Sequence, residues 1–112
     1  MTEIIKSVVP GVPVRGSSSG RPIMVALDLL GRRTCMRVMW ELREKRLTFR
    51  ALQAAVGTNP TVLNTRLTEL REALLVDHDV GGYGVTDHGR KLIAVMLPLV
   101  KWSDEWAELV KK

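Results

Sequence analysis

The stretch N-P-T-V-L-N-T-R-L-T-E-L-R-E-A-L-L-V, residues 59–76, reads as a helix that runs into a strand, and it decides the fold. Asn59 is a favourable N-cap. Pro60 follows at the first helical position, where a missing N–H leaves no bond unmade. Leu63, Leu67, Leu70 and Leu74 recur at helical spacing and make one apolar stripe. At about 100° per residue, the opposite face carries Thr61, Asn64, Thr65 and Thr68, with Arg66 and Arg71 on its flanks. Thr and Asn are mediocre helix formers, whereas a merely solvated face favours Lys and Glu. Their amide, hydroxyl and methyl groups suit base edges in a DNA major groove, where Asn pairs with adenine and Thr meets the thymine methyl. An ordinary amphipathic helix with a weak polar face is the alternative reading, and the flanking segments weigh between the two.

Residues 49–56, F-R-A-L-Q-A-A-V, read as a helix with Phe49, Leu52 and Val56 on its core face and Gly57 at its end. Gly57-Thr58-Asn59 is then a tight turn into the helix 60–73. Two helices joined by about three residues, with a glycine in the turn, make the helix-turn-helix pattern. Beyond them, residues 75–80 (L-V-D-H-D-V) alternate apolar and polar as a half-exposed strand does. Gly81-Gly82 signals a two-residue hairpin turn, and Y-G-V-T, residues 83–86, returns as a second strand. A hairpin placed directly after a candidate recognition helix is the wing of a winged helix.

Towards the N-terminus, residues 22–31 (P-I-M-V-A-L-D-L-L-G) predict a short helix from Pro22 to a Gly31 C-cap, with Ile23, Ala26, Leu27 and Leu30 sharing a face. Residues 34–44 predict a second, mostly buried helix N-capped by Thr34, and residues 47–49 a short strand. Residues 1–21 read as a flexible arm. Its first part holds a small patch of Ile4, Ile5, Val8 and Val9, with strand addition or capping of a second subunit as a further reading. Its second part is rich in Gly, Ser and Pro. At the other end Thr86 N-caps a long last helix, with Asp87 favourable in its first turn. Leu92, Ile93, Val95, Met96, Leu99, Val100, Trp102, Trp106, Leu109 and Val110 make that helix apolar over much of its circumference. One small domain cannot cover so much apolar surface, which predicts a dimer interface. Pro98 should kink the helix near Ala94. The expected fold class is mainly α with a small β-hairpin wing, a winged helix-turn-helix of the α+β kind with dimerising N- and C-terminal helices. Its domain should occupy residues 22–112.

The chain has 112 residues, 46% of them apolar, which fits one domain with a real core. A net charge of +5 and a pI near 9.9 suggest a polyanionic partner such as nucleic acid. The single cysteine, Cys35, excludes an internal disulfide and suits a reducing cytoplasm. No apolar run approaches the roughly 20 residues of a membrane span, and the N-terminal apolar run is too short for a signal peptide.

In the order and spacing of these motifs, residues 22–102 resemble the HxlR-type winged helix-turn-helix transcriptional regulators of bacteria and archaea. The residues that carry the resemblance are A-L-D-L-L-G (26–31), Glu41 and Leu42, F-x-x-L (49–52), N-P-T-V-L-N-T-R-L-T-E-L (59–70), Leu75 and Val76, and Y-x-V-T-D-H-G (83–89). The resemblance implies a homodimer built on the first and last helices, which places Ile23, Leu27, Leu30, Met96, Leu99, Trp102 and Trp106 at the interface. It implies one recognition helix per subunit in the major groove, with Thr61, Asn64, Thr65 and Thr68 facing bases. The wing, 75–86, would lie on the flanking DNA. Arg43, Lys45, Arg46, Arg50, Arg66 and Arg71 are the candidate phosphate ligands, with Arg66 alternatively paired to a residue such as Glu69 or Glu41. The chain also departs from the family pattern. Thr61 stands where a basic residue is usual, Thr34 where a Trp is, and Leu74 where a Gly precedes the wing. No cysteine precedes the first helix. The first wing strand carries Asp77 and Asp79 in place of Arg or Lys, and carboxylates near phosphates weaken binding.

Cys35 lies near a helix N-terminus, where a thiol can be activated, but an inert packed thiol is the plainer reading. Asp77, His78 and Asp79 cannot converge on one metal, because successive strand residues point to opposite faces. No nucleophile–base pairing, phosphate loop or Cys/His cluster supports an enzyme or a bound cofactor. Three functions remain open. One is a homodimeric, sequence-specific regulator of double-stranded DNA. The second is a protein-interaction module with weakened DNA binding. The third is a regulator gated by a small-molecule effector near Trp40, Trp102 or Trp106.

Overall fold

The structure is a computed structural model of the chain and describes residues 8–14 and 18–111. Five helices and one hairpin follow in the order α1 (Pro22–Leu30), α2 (Arg33–Glu41), α3 (Phe49–Val56), α4 (Pro60–Glu72), β1 (Val76–Asp79), β2 (Gly82–Val85) and α5 (Asp87–Val110). α2 lies at the centre and touches α1, α3, α4 and α5. Its Cys35, Val38 and Met39, together with Leu42 just after it, meet Leu52 of α3 and Leu63, Leu67 and Leu70 of α4 in the main core. These side chains leave water almost completely, at roughly 1.5–3 kcal/mol for each large aliphatic one.

Several boundaries differ from the sequence expectation. α2 spans 33–41, not 34–44, and Thr34 does not cap it. The N-cap is Arg32, in an extended conformation and without a side-chain cap bond. The turn after α1 is so short that the helix has already begun when the chain reaches Thr34. The strand expected at 47–49 is a single bridge between Leu47 and Tyr83, because Thr48 caps α3 by accepting the Ala51 N–H at 3.2 Å. The hairpin turns at Val80-Gly81, one residue early, and Gly82 begins β2 opposite Asp79. β1 does not alternate in exposure: Val76 is buried and the next three residues are exposed, whereas all four residues of β2 are buried. The last helix runs unbroken through Pro98, which stands exposed inside it.

Val8, read above as part of a flexible arm, is 2% exposed and belongs to the core, with Val14 packed against it. The Gly11 N–H donates to the Gly20 carbonyl at 2.9 Å and ties this segment to the start of α1. The strand suggested for residues 4–9 falls mostly outside the described residues.

Candidate nucleic-acid interface

The turn between α3 and α4 is built by its caps. Gly57 takes φ 76°, a left-handed conformation cheap only for glycine, and its N–H closes α3 on the Gln53 carbonyl. The Asn59 side chain accepts the Val62 N–H at 2.8 Å and starts α4. With the leucine stripe of α4 buried, Thr61 and Asn64 are exposed, and Thr65 and Thr68 are half-buried beside them. The hydroxyls of Thr65 and Thr68 donate to the Thr61 and Asn64 carbonyls at 3.0 and 2.9 Å. Their protons are therefore spent within the helix. What these threonines can show a partner is a methyl group and an oxygen lone pair. Asn64 keeps an exposed amide able to donate and accept at once.

On the inner side, α4 is held by a buried charge. Glu69 is 1% exposed, and its carboxylate receives the Arg32 guanidinium and lies 2.7 Å from Nη1 of Arg66. Arg32 also reaches Asp28 of α1 at 3.0 Å. A carboxylate removed from water needs such partners. The arrangement fixes the pitch of α4 against the α1–α2 corner. The Arg66–Glu69 pair was legible at i,i+3 spacing. Arg32 was missed, because nothing local marks a contact across 37 residues. Cys35 packs beside this cluster. Burial pushes its thiol up from 9.0 to about 11, the Glu69 carboxylate adds to the rise, and Arg66 and Arg32 oppose it. The thiol is the protonated, inert kind.

α4 ends in a Schellman turn. The Leu75 N–H donates to the Leu70 carbonyl and the Leu74 N–H to the Arg71 carbonyl, both at 3.0 Å. Leu74, exposed and at φ 64°, occupies the position where such turns favour glycine. Thr86 joins the wing base to α5: its hydroxyl donates to the Leu74 carbonyl and accepts the Gly89 N–H. On one face of the hairpin, His78 stacks on Tyr83 at 4.1 Å and 10°.

Of the basic residues expected at phosphates, three are engaged within the chain. Arg66 is held by Glu69. Arg43 lies over the Trp40 ring at 4.0 Å and donates to the Trp40 carbonyl. Arg46 pairs with both Asp77 and Asp79 of the wing. Lys45, Arg50 and Arg71 are exposed. The structure thus brings the four base-facing candidates onto one surface beside the wing, but supplies fewer free cations than the sequence suggested.

The sequence profile of the HxlR-like helix-turn-helix family matches residues 29–111. The chain belongs to this family. As an HxlR-type protein it is a DNA-binding transcriptional regulator, and its order of helices and hairpin is the winged helix-turn-helix fold. Among solved structures it is similar to quinone-bound YodB from B. subtilis, with a TM-score of 0.71 and 26% identity, covering 74% of this chain and 96% of that one. No match was found among curated proteins.

Two further features of this HxlR-type chain lie away from the outer face of α4. On α5, Val95, Leu99, Trp102, Trp106 and Leu109 alternate in steps of four and three residues and are each 52–71% exposed. Trp102 and Trp106 stack on one another at 5.5 Å. Ile23 and Leu27 of α1 are exposed too, whereas Leu30 is half-buried. Met96, expected at an interface, is instead 4% exposed and packs inside its own chain. Separately, a cavity of about 310 Å³ opens between α1, α5 and the end of α4, with walls that include Val8, Pro22, Leu29, Leu75 and Val95. Its polar side chains are His88 and Lys91, and none of Trp40, Trp102 and Trp106 lines it.

Proposed function

We propose that the chain regulates transcription as a homodimer that reads a two-fold DNA site. In this reading α4 of each subunit enters the major groove, with Thr61, Asn64, Thr65 and Thr68 toward bases and the wing against the flanking backbone. The observation that carries the reading is the outer face of α4. It is exposed at Thr61 and Asn64, free of charge at its N-terminal end, and presents one unengaged amide among methyl groups, while a buried carboxylate fixes the helix behind it. Lys45, Arg50 and Arg71 supply the phosphate contacts. The α5 stripe supplies the dimer, since a monomer rarely leaves so continuous an apolar surface in water. Selection from a random duplex pool at low and moderate salt tests the reading. It expects an enriched two-fold motif with half-sites about one helical turn apart. Binding without an enriched motif would leave the chain a sequence-neutral binder and sink the proposal.

The cavity favours a second, compatible reading, in which an apolar small molecule gates binding. Its volume lies at the lower end of the roughly 300–1,000 Å³ of ligand sites, and its walls join the end of α4 to α5. YodB is known with a quinone bound, so quinones belong in a first panel. A ligand of this site should raise the melting temperature of the wild type and not of a Leu29→Trp variant that fills the space. Equal shifts in both proteins would remove the cavity from that role.

A further inference from the structure

We propose that Arg46 is the internal counterion of the wing rather than a phosphate ligand, and that Asp77 and Asp79 thereby set the charge the wing presents to DNA. The second half rests on the DNA-binding reading above; the first does not.

The geometry begins with the backbone. Leu47 pairs with Tyr83 in both directions, N–H to carbonyl at 3.0 and 2.8 Å. This places Arg46 at the margin of β2 before any side chain is considered. The register then sets Asp77 opposite Gly84 and Asp79 opposite Gly82. Both aspartates therefore stand on one face of the hairpin, each across from a residue with no side chain. Arg46 fills that vacancy. A Cβ at Gly84 would stand 2.5 Å from its Nη1 and 2.8 Å from its Cζ, so the guanidinium lies where any other residue would put a side chain. From there Nη2 donates to the Asp77 carboxylate and to the Gly82 carbonyl, the latter at 2.8 Å. Nε lies 3.0 Å from Oδ1 of Asp79, the same oxygen that accepts the Gly81 N–H of the turn. One cation thus joins two carboxylates and a strand carbonyl.

This arrangement alters the electrostatic expectation in two ways. One positive charge offsets half of the two negative ones, so the wing repels phosphate less than two bare carboxylates would. The guanidinium is held by carboxylates at fixed short range, and a phosphate would have to displace them to gain it. Counterion release counts only cations that reach phosphate, at a salt slope of about 0.9 each. Arg46 should contribute nothing to that slope in the wild type, and should begin to contribute once its carboxylates are neutralised.

The test compares wild type, Arg46→Gln, Asp77→Asn with Asp79→Asn, and all three substitutions together, as full chains on one duplex between about 50 and 200 mM salt. Arg46→Gln alone should leave the slope unchanged. The double asparagine variant should bind tighter and steepen the slope by about 0.9 per wing, which is about 3.5-fold in affinity over that fourfold salt range. Adding Arg46→Gln to it should restore the wild-type slope. A shallower slope for Arg46→Gln alone, with an unchanged slope for the asparagine pair, would show that Arg46 already sits on phosphate and overturn the proposal. Absence of wild-type binding at the lower salt would overturn the DNA reading and the second half with it. The first half is decided without DNA, by melting temperatures of the same four proteins. Non-additive losses are expected for groups in one network, and additive losses would overturn the counterion role.

Discussion

Leu74 joins α4 to the wing in a conformation that suits it poorly. At φ 64° a side chain with a Cβ costs roughly 1–2 kcal/mol, and Leu74 recovers little of this because it is 69% exposed. Glycine would relieve the strain and lose about 0.5–1 kcal/mol through its freer unfolded chain. Leu74→Gly should therefore stabilise the protein by roughly 0.5–1 kcal/mol, a rise of a few degrees in melting temperature. A drop on substitution would mean that the exposed leucine has a partner in the folded protein. Cys35 gives a residue-scale prediction of opposite character. Its thiol is raised from 9.0 to about 11 in the folded chain, first by burial. The folded state therefore keeps a proton that the unfolded state releases, so stability is intact below pH about 9 and falls as pH rises towards 11. Denaturant titrations at pH 8 and 10.5 should show about 2 kcal/mol more loss in the wild type than in Cys35→Ala. Parallel losses in the two proteins would count against the shift.

At the scale of elements, α4, the proposed reading helix, was also the easiest to read. Its cap, its Pro60 start and its leucine stripe all lie within the segment, so local chemistry specified residues 60–72 almost to the end, and α3 completely. α2 was misread because its start depends on the turn before it, and Thr34 offers the look of a cap without the position. The wing was legible as a hairpin but not in its exposure, since that depends on Arg46 reaching Gly84 from outside the hairpin and on His78 stacking on its cross-strand partner Tyr83. The same holds at the interface. Asn64 and the threonines followed from helical spacing, and the Arg43 contact with Trp40 is local, whereas the engagement of Arg46 followed only from contacts that no periodicity encodes. Asn64 is the sharpest test of the element. Replacing it with Ala removes the one exposed amide of the outer face and should cost roughly 1–3 kcal/mol at a single base position, with non-specific affinity preserved. Equal losses on operator and random DNA would remove Asn64 from base reading.

At the scale of the whole molecule, α5 is too long for its own domain. Its first turns are buried through Gly89, Ile93 and Met96, and beyond Met96 nearly every residue is exposed. The stripe Val95, Leu99, Trp102, Trp106 and Leu109 has the four-and-three spacing of helices that pair along a seam. Two copies joined there would carry two recognition helices on one body. The second DNA contact then becomes intramolecular and can raise avidity by about 10²–10⁴ without any new contact. Charge placed in the seam separates the pieces. Trp106→Asp alters a side chain that is 56% exposed within its own chain, so the domain should remain folded by circular dichroism. Sedimentation should then report a monomer for the variant and a dimer for the wild type. Binding to a two-fold site should fall by at least the lower end of that range, while binding to an isolated half-site stays close to the wild-type value. A wild-type monomer at micromolar concentration would refute the seam. A dimeric Trp106→Asp variant would move the interface elsewhere, with the exposed Ile23 and Leu27 of α1 as the next surface to charge.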